Sequence, residues 1–158
     1  MKRSILASML TFVTIFIVSA QNELETTQPE FEIKVITSVE SIVPLGLGRS
    51  RIISANTDRD YEEFSSEQTE NDNTRNKSKR KDIRVKDFEE TKLLNFYNVG
   101  GIRFQNIAAN DAVISSKLTA MLAEGWDLIF VTSAVESDAG ETDEQGIFIT
   151  RYIFKRKL

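Results

Sequence analysis

The chain has 158 residues, 20 basic and 24 acidic side chains and a formal charge of −4, a size that holds one domain and a balance that makes no case for nucleic-acid binding. It contains no cysteine and no histidine. That excludes disulfides, thiol nucleophiles, Cys/His zinc sites and histidine general bases, and leaves any catalysis to Asp, Glu, Lys, Ser, Thr or Tyr.

The first 20 residues read as a signal peptide. Lys2 and Arg3 form a positive start, Ile5 to Val18 is uncharged and largely apolar, and Val18-Ser19-Ala20 is a small-residue cleavage site, with the cut expected before Gln21. The apolar run is short of the roughly 20 residues that a spanning helix needs, and no cysteine follows for lipid attachment. The expected product is exported, periplasmic or secreted, with no stable membrane span after cleavage. Residues 21–29 are polar and expected to be disordered, and residues 30–158 are expected to form a single α+β domain.

In the first strand Phe31, Ile33, Val35, Thr37 and Val39 alternate with Glu32, Lys34, Ser38 and Glu40. Period two predicts one buried face, and Ile36 on the polar-leaning side breaks the pattern. Pro44-Leu45-Gly46-Leu47-Gly48 is a turn, and Arg49 to Ala55 returns as a second, antiparallel strand. A phosphate-cradling reading of Gly46 to Ser50 lacks both a Walker lysine and a following helix.

Residues 57–82 are a charged insertion, acidic from Asp58 to Asp72 and basic from Arg75 to Lys81, with Tyr61 and Phe64 as its large apolar residues. Such a segment cannot offset its ordering entropy by burial and is expected to be disordered. Its basic run, residues 75–84, suits a polyanion; the plainer account is a solvated loop whose halves attract each other. Glu90 to Asn98 is expected to form a short helix that Gly100-Gly101 breaks. Around it Asn95, Tyr97, Arg103, Gln105 and Asn106 are candidates for lining a pocket, because pockets combine apolar walls with a few polar groups.

The main helix is expected to start at an Asn110 or Asp111 cap, to carry Ile114, Leu118, Met121 and Leu122 on one face, and to stop at Gly125. A strand from Trp126 to Ser133 follows directly. The block KLTAMLAEGWDLIFVTS resembles the helix-to-strand signature of the family called "domain of unknown function 4177", in which a leucine-rich helix ends in Glu-Gly-Trp and an apolar strand. The resemblance covers roughly residues 31–43 and 117–156. It implies one strand before the helix and two after it, here EIKVITSVE, the Trp126 strand and IFITRYIFKRK. It implies no catalytic residues. The export signal and the long insertion depart from the short family pattern.

Carboxylates at 136, 138, 141, 143 and 144 form an acidic loop without EF-hand spacing, so a solvated hairpin and a calcium loop both stand as readings. Gly146 to Lys155 is the last strand, apolar on both faces. Together these elements predict a four-stranded antiparallel sheet ordered second–first–last–third, with the main helix on one face and a short helix or loop on the other. No cofactor, metal or catalytic constellation is expected. The leading functional expectation is a non-catalytic exported domain that binds a protein or cell-envelope component, and a homodimer fits the doubly apolar last strand. A carboxylate-dependent hydrolase of envelope glycans and a polyanion-binding surface protein are the alternatives.

Overall fold

A computed structural model describes residues 30–42, 49–136 and 146–158. The expected signal peptide (residues 1–20), residues 21–29, the expected turn at Pro44 to Gly48 and most of the acidic loop lie outside the described residues. The chain divides into two compact units. Of the first, Glu30, Phe31 and Leu158 are described, and Leu158 N–H donates to the Glu30 carbonyl at 3.1 Å. The other, residues 32–157, carries the fold described below.

Its main sheet is built from β1 (Phe31–Ser41), β2 (Arg51–Ala55), β3 (Phe88–Lys92), β6 (Asp127–Glu136) and β7 (Ile147–Lys157). The spatial order is β3-β2-β1-β7-β6. The α+β sheet with one main helix is as expected, but the expected four-stranded sheet ordered second–first–last–third is corrected to five strands, because β3 pairs outside β2. The β1–β2, β2–β3 and β6–β7 pairs are antiparallel. Ile42 N–H donates to the Gly146 carbonyl at 3.1 Å, and Arg156 near the end of β7 bonds Glu32 near the start of β1. Those two ties run β1 and β7 antiparallel as well.

The short helix expected over Glu90 to Asn98 is not formed. Phe88–Lys92 is strand instead, and Tyr97–Asn98 (β4) pairs with Gly101–Ile102 (β5) in a small hairpin. The helical pattern expected from Glu90 onward loses at Glu90 to Lys92 to ladder bonds, because β2 offers an open edge over its full length. Gly101 takes φ 97°, which the tight β4–β5 turn requires.

The insertion is the loop of the β2–β3 hairpin. Asn56 closes its base, its N–H donating to the Asp87 carbonyl at 3.1 Å and its side-chain amide to the Asp87 carboxylate at 3.1 Å. Beyond that base lie a 3-10 turn (Glu62–Phe64) and a one-turn helix α1 (Arg80–Ile83), with no buried residue in either. Local polar bonds hold the excursion together: Asn76 donates to the carbonyls of Glu63 and Ser65, both at 2.9 Å, and Arg59 donates to the Arg84 carbonyl at 3.2 Å. The composition argument, that this stretch supplies no core, agrees with its exposure.

The main helix, α2, runs Phe104–Ala123. It starts six residues before the expected cap, so Asn110 lies inside it. The stop is as expected. Gly125 sits at φ 84°, its N–H donates to the Leu122 carbonyl (3.1 Å), and Trp126 N–H donates to the Met121 carbonyl (3.1 Å). That is the Schellman pattern, which satisfies carbonyls the helix end would otherwise leave open. Of the predicted stripe, Met121 is buried and Ile114 and Leu118 pack against the core, whereas Leu122 is exposed. Asn110 takes the place at the head of the stripe.

The core is Ile36, Ile52, Leu93, Met121, Trp126 and Phe154. It lies wholly on the α2 side of the sheet, and this reverses the expected face of β1. Ile36, Ser38 and Glu40 are buried, while Ile33 and Val35 are exposed. The reason is steric and local. In the β1–β2 register Ile36 faces Ser54 and Ser38 faces Ile52, so large and small side chains alternate in a checkerboard. Serines let the helix approach closely while isoleucines fill the space between them.

Candidate functional site

Two features stand apart from ordinary packing. The first is a polar network beneath α2. Residues 93–96 leave β3 and cross the helix side of the sheet. Leu93 N–H donates to the Ser50 carbonyl (3.0 Å) and Phe96 N–H to the Ser41 carbonyl (3.4 Å). Between these two ties Asn110 reads the Leu94 backbone as a neighbouring strand would. Its Oδ1 accepts from Leu94 N–H at 2.8 Å, and its Nδ2 donates to the Leu94 carbonyl at 2.7 Å. The same Nδ2 donates to Glu40 Oε2 at 2.8 Å. One helical turn earlier, Asn106 Nδ2 donates to the Asn95 carbonyl at 2.8 Å. Asn95 Oδ1 accepts from Ser50 Oγ at 2.8 Å, and Ser50 Oγ accepts from Ser41 N–H at 2.9 Å.

The segment therefore lies on the same face as α2, with Leu93 in the core, and not on the opposite face as expected from the sequence. An asparagine amide carries a donor and an acceptor in the geometry of a peptide group, so it can substitute for a strand that is not there. Leaving such buried backbone groups unpaired costs about 1–3 kcal/mol each.

Glu40 is the buried carboxyl of this network, 6% exposed. Burial raises its pKa above the ordinary carboxylate value; the Asn110 hydrogen bond opposes the shift, and the negative charge of Asp111 adds to it. Tyr152, half-buried on β7, has its phenol pKa raised chiefly by burial, with the Ser38 hydroxyl acting the other way and Glu40 and Asp111 adding to the rise. Glu40 is enclosed while Asp111 faces out from the helix.

The five candidate pocket residues divide. Asn95 and Asn106 come together, joined by the bond already described, and both amides are engaged in holding residues 93–96. Tyr97 is half-buried in β4 opposite Ile102. Arg103 is exposed at the α2 N-cap, where its backbone N–H donates to the Phe96 carbonyl at 2.8 Å, and Gln105 is exposed in the first turn. Glu40 and Asn110 were missed as partners. Their chemistry was visible in the sequence, but they lie 70 positions apart and no spacing rule connects them.

The second feature is the sheet face turned away from α2. The β1–β2, β2–β3 and β6–β7 registers, with the antiparallel β1–β7 contact, place Ile33, Val35, Ile53, Phe88, Phe130 and Ile153 on it. Ile33 is 57% exposed and Phe130 59%. A shallow concavity of about 400 Å³ lies at one end, lined by Val35, Thr37, Ile53, Ala55 and Phe88, with Val85 of the hairpin loop at its rim. Arg51 pairs with Glu90 on this face at 2.8 Å, and Lys92 and Arg151 are also exposed there. Exposed large apolar side chains gathered on one face are the feature that marks interaction sites.

Opposite, a polar cleft of about 310 Å³ runs along Glu32, Lys34, Asn56, Asp58 and Arg156. Its floor is Trp126, with the Arg156 guanidinium 4.3 Å from the ring centroid and the Lys34 amine at 5.9 Å. Arg156 also donates to Glu32 (2.6 Å) and to the Glu124 carbonyl at the end of α2 (3.3 Å). A cation at a helix C-terminus and over an indole is favourable on both counts. These contacts fasten the helix end to the sheet.

The basic run from Arg75 to Arg84 is exposed along the hairpin loop. Of the acidic loop only Glu136 is described, and among the described residues no group of three or more acidic side chains is placed to hold a metal ion. Among them, too, no helix is long and apolar enough to cross a membrane. The chain matches no family model, no curated protein and no solved structure.

Proposed function

We propose that this chain is an exported, non-catalytic binding module, and that it engages a protein or envelope component through the sheet face opposite α2. The observation that carries this reading is the position of the core. Every fully buried apolar side chain among the described residues packs on the α2 side, and Leu93, at the start of the segment expected to cover the other face, packs there too. An apolar face that none of the described residues covers is held at a cost in solubility and is best explained by a partner.

The chemistry of that face narrows the partner. Aliphatic and aromatic side chains occupy its centre, and Lys92 and Arg151 stand exposed among them. A partner with apolar surface and acidic groups is complementary in both respects. The likeness to the family "domain of unknown function 4177" belongs to the same proposal and implies a compact α+β scaffold with no carried-over activity.

The test is capture from the native envelope fraction, followed by hydrogen-exchange mapping of the complex. Protection should fall on β1, β2 and β7, and Val35→Asp should abolish capture while Gln105→Ala leaves it intact. Protection confined to the basic loop 75–84, lost with its lysines, would replace this reading with polyanion binding. Turnover of an envelope glycan that depends on Glu40 would replace it with hydrolysis.

A further inference from the structure

The two edges of the sheet are built differently. β3, FEETK, is short and carries Glu89, Glu90 and Lys92, the charged protection that natural edge strands use against unwanted pairing. β6, DLIFVTSAVE, is ten residues long, contains no proline, and has no charge between Asp127 and Glu136. It is exposed along its whole length, on the α2 side as well as on the open face. Its one irregularity is the register shift between Leu128 and Phe130; from Phe130 to Glu136 its pairing with β7 is continuous. Of those seven residues only the last, Glu136, is charged, none is proline and none lies beyond the register shift, so the edge carries little of the usual protection.

We infer that a second copy of this chain docks on that edge, its β6 running antiparallel to this one over residues 130–136. The inference goes beyond the binding-module reading and rests on the edge, not on the open face. A two-fold axis perpendicular to the sheet keeps each side chain on its own face only when residues pair so that one meets itself. Using the whole regular stretch puts that residue at Ser133. Val131 then meets the partner's Val135 on the α2 side, Thr132 meets the partner's Ala134 on the open face, and Phe130 meets the partner's Glu136.

The pairing is self-complementary in three ways. No like charges oppose each other across it. The valines come together where α2 leaves them bare. The partner's Glu136 also lies on the same face as Arg151, about 12 Å away between Cα atoms by strand spacing and residue rise, a span that extended arginine and glutamate side chains bridge. The result is one ten-stranded sheet with both helices on one side and both open faces continuous on the other. Main-chain bonds give the affinity, as in other strand-addition interfaces.

The chain has no cysteine, so a single introduced thiol reports cleanly. Light scattering of the purified protein across a dilution series should give twice the chain mass at high concentration. Ser133→Cys should form a covalent dimer on mild oxidation, whereas Thr57→Cys, in the hairpin loop, should not. Val131→Lys, which sets a charge against the partner's Val135, should lower the dimer fraction at least tenfold at fixed concentration while leaving the circular dichroism spectrum unchanged. A monomer at every concentration overturns the inference. So does a dimer that Ser133→Cys fails to trap and Val131→Lys fails to weaken. A dimer broken by Val35→Asp and untouched by Val131→Lys overturns edge pairing and gives the second copy to the open face instead.

Discussion

At the residue scale, Glu40 shows how one buried group couples fold and pH. Its carboxyl accepts from Asn110 at 2.8 Å and sits in a site that raises its pKa. The folded state therefore holds the proton to higher pH than the unfolded chain does. Between the unfolded and folded values the native state binds more protons, so stability falls as pH rises through that window. The contribution is complete below the ordinary carboxylate value and lost above the raised one. Glu40→Gln keeps an acceptor for the Asn110 amide and removes the charge. Denaturant midpoints measured from pH 4 to 8 should fall with pH in the parent and stay flatter in the variant, with the variant the more stable at neutral pH. Equal slopes for the two proteins would mean that Glu40 is already well solvated.

At the element scale, the β2–β3 hairpin carries its charged loop without depending on it. Ala55 pairs with Phe88, and Asn56 with Asp87 closes the base, before the insertion begins. Removing residues 58–81 and joining the ends through a short Gly/Ser linker should leave unfolding cooperative. Loop-closure entropy changes by only about 0.6 kcal/mol per doubling of length, so stability should hold or rise by about 1 kcal/mol. A lost or broadened transition would show that the Asn76 contacts to Glu63 and Ser65 hold more than the loop itself.

The same elements show what was legible in the sequence. Gly125 announced the helix stop because a left-handed residue there has few alternatives to glycine. The antiparallel sheet with one main helix followed from connection rules, but its fifth strand did not. The α2 start was hidden, because Asn110 is a good cap residue and nothing local says its amide is used elsewhere. The β3 strand was hidden because its partner lies across a long insertion. The candidate pocket was legible only in part: Asn95 and Asn106 do meet, but they meet to pin the chain.

At the scale of the whole molecule, the choice of sheet face decides both stability and function. Alternation along β1 marks Ile33 and Val35 as the inward set, yet the structure buries Ile36 to 1% exposure and leaves Ile33 at 57%. The helix selected the face where serines allow close approach and where Trp126, Phe154 and Met121 already meet. Two substitutions three residues apart in one strand therefore separate the faces. Ile36→Ala removes buried methyl groups from the core and should cost about 2–5 kcal/mol, the usual range for such a truncation. Ile33→Lys adds charge to a site already in water and should cost about 0.5 kcal/mol or less, as surface changes do. Thermal and urea midpoints at low protein concentration measure both. A large loss for Ile33→Lys under those conditions would mean that the open face is covered in solution even in dilute protein. If that loss appears only at high concentration, the cover is a second molecule, because stabilisation by a partner scales with its concentration and packing within the chain does not.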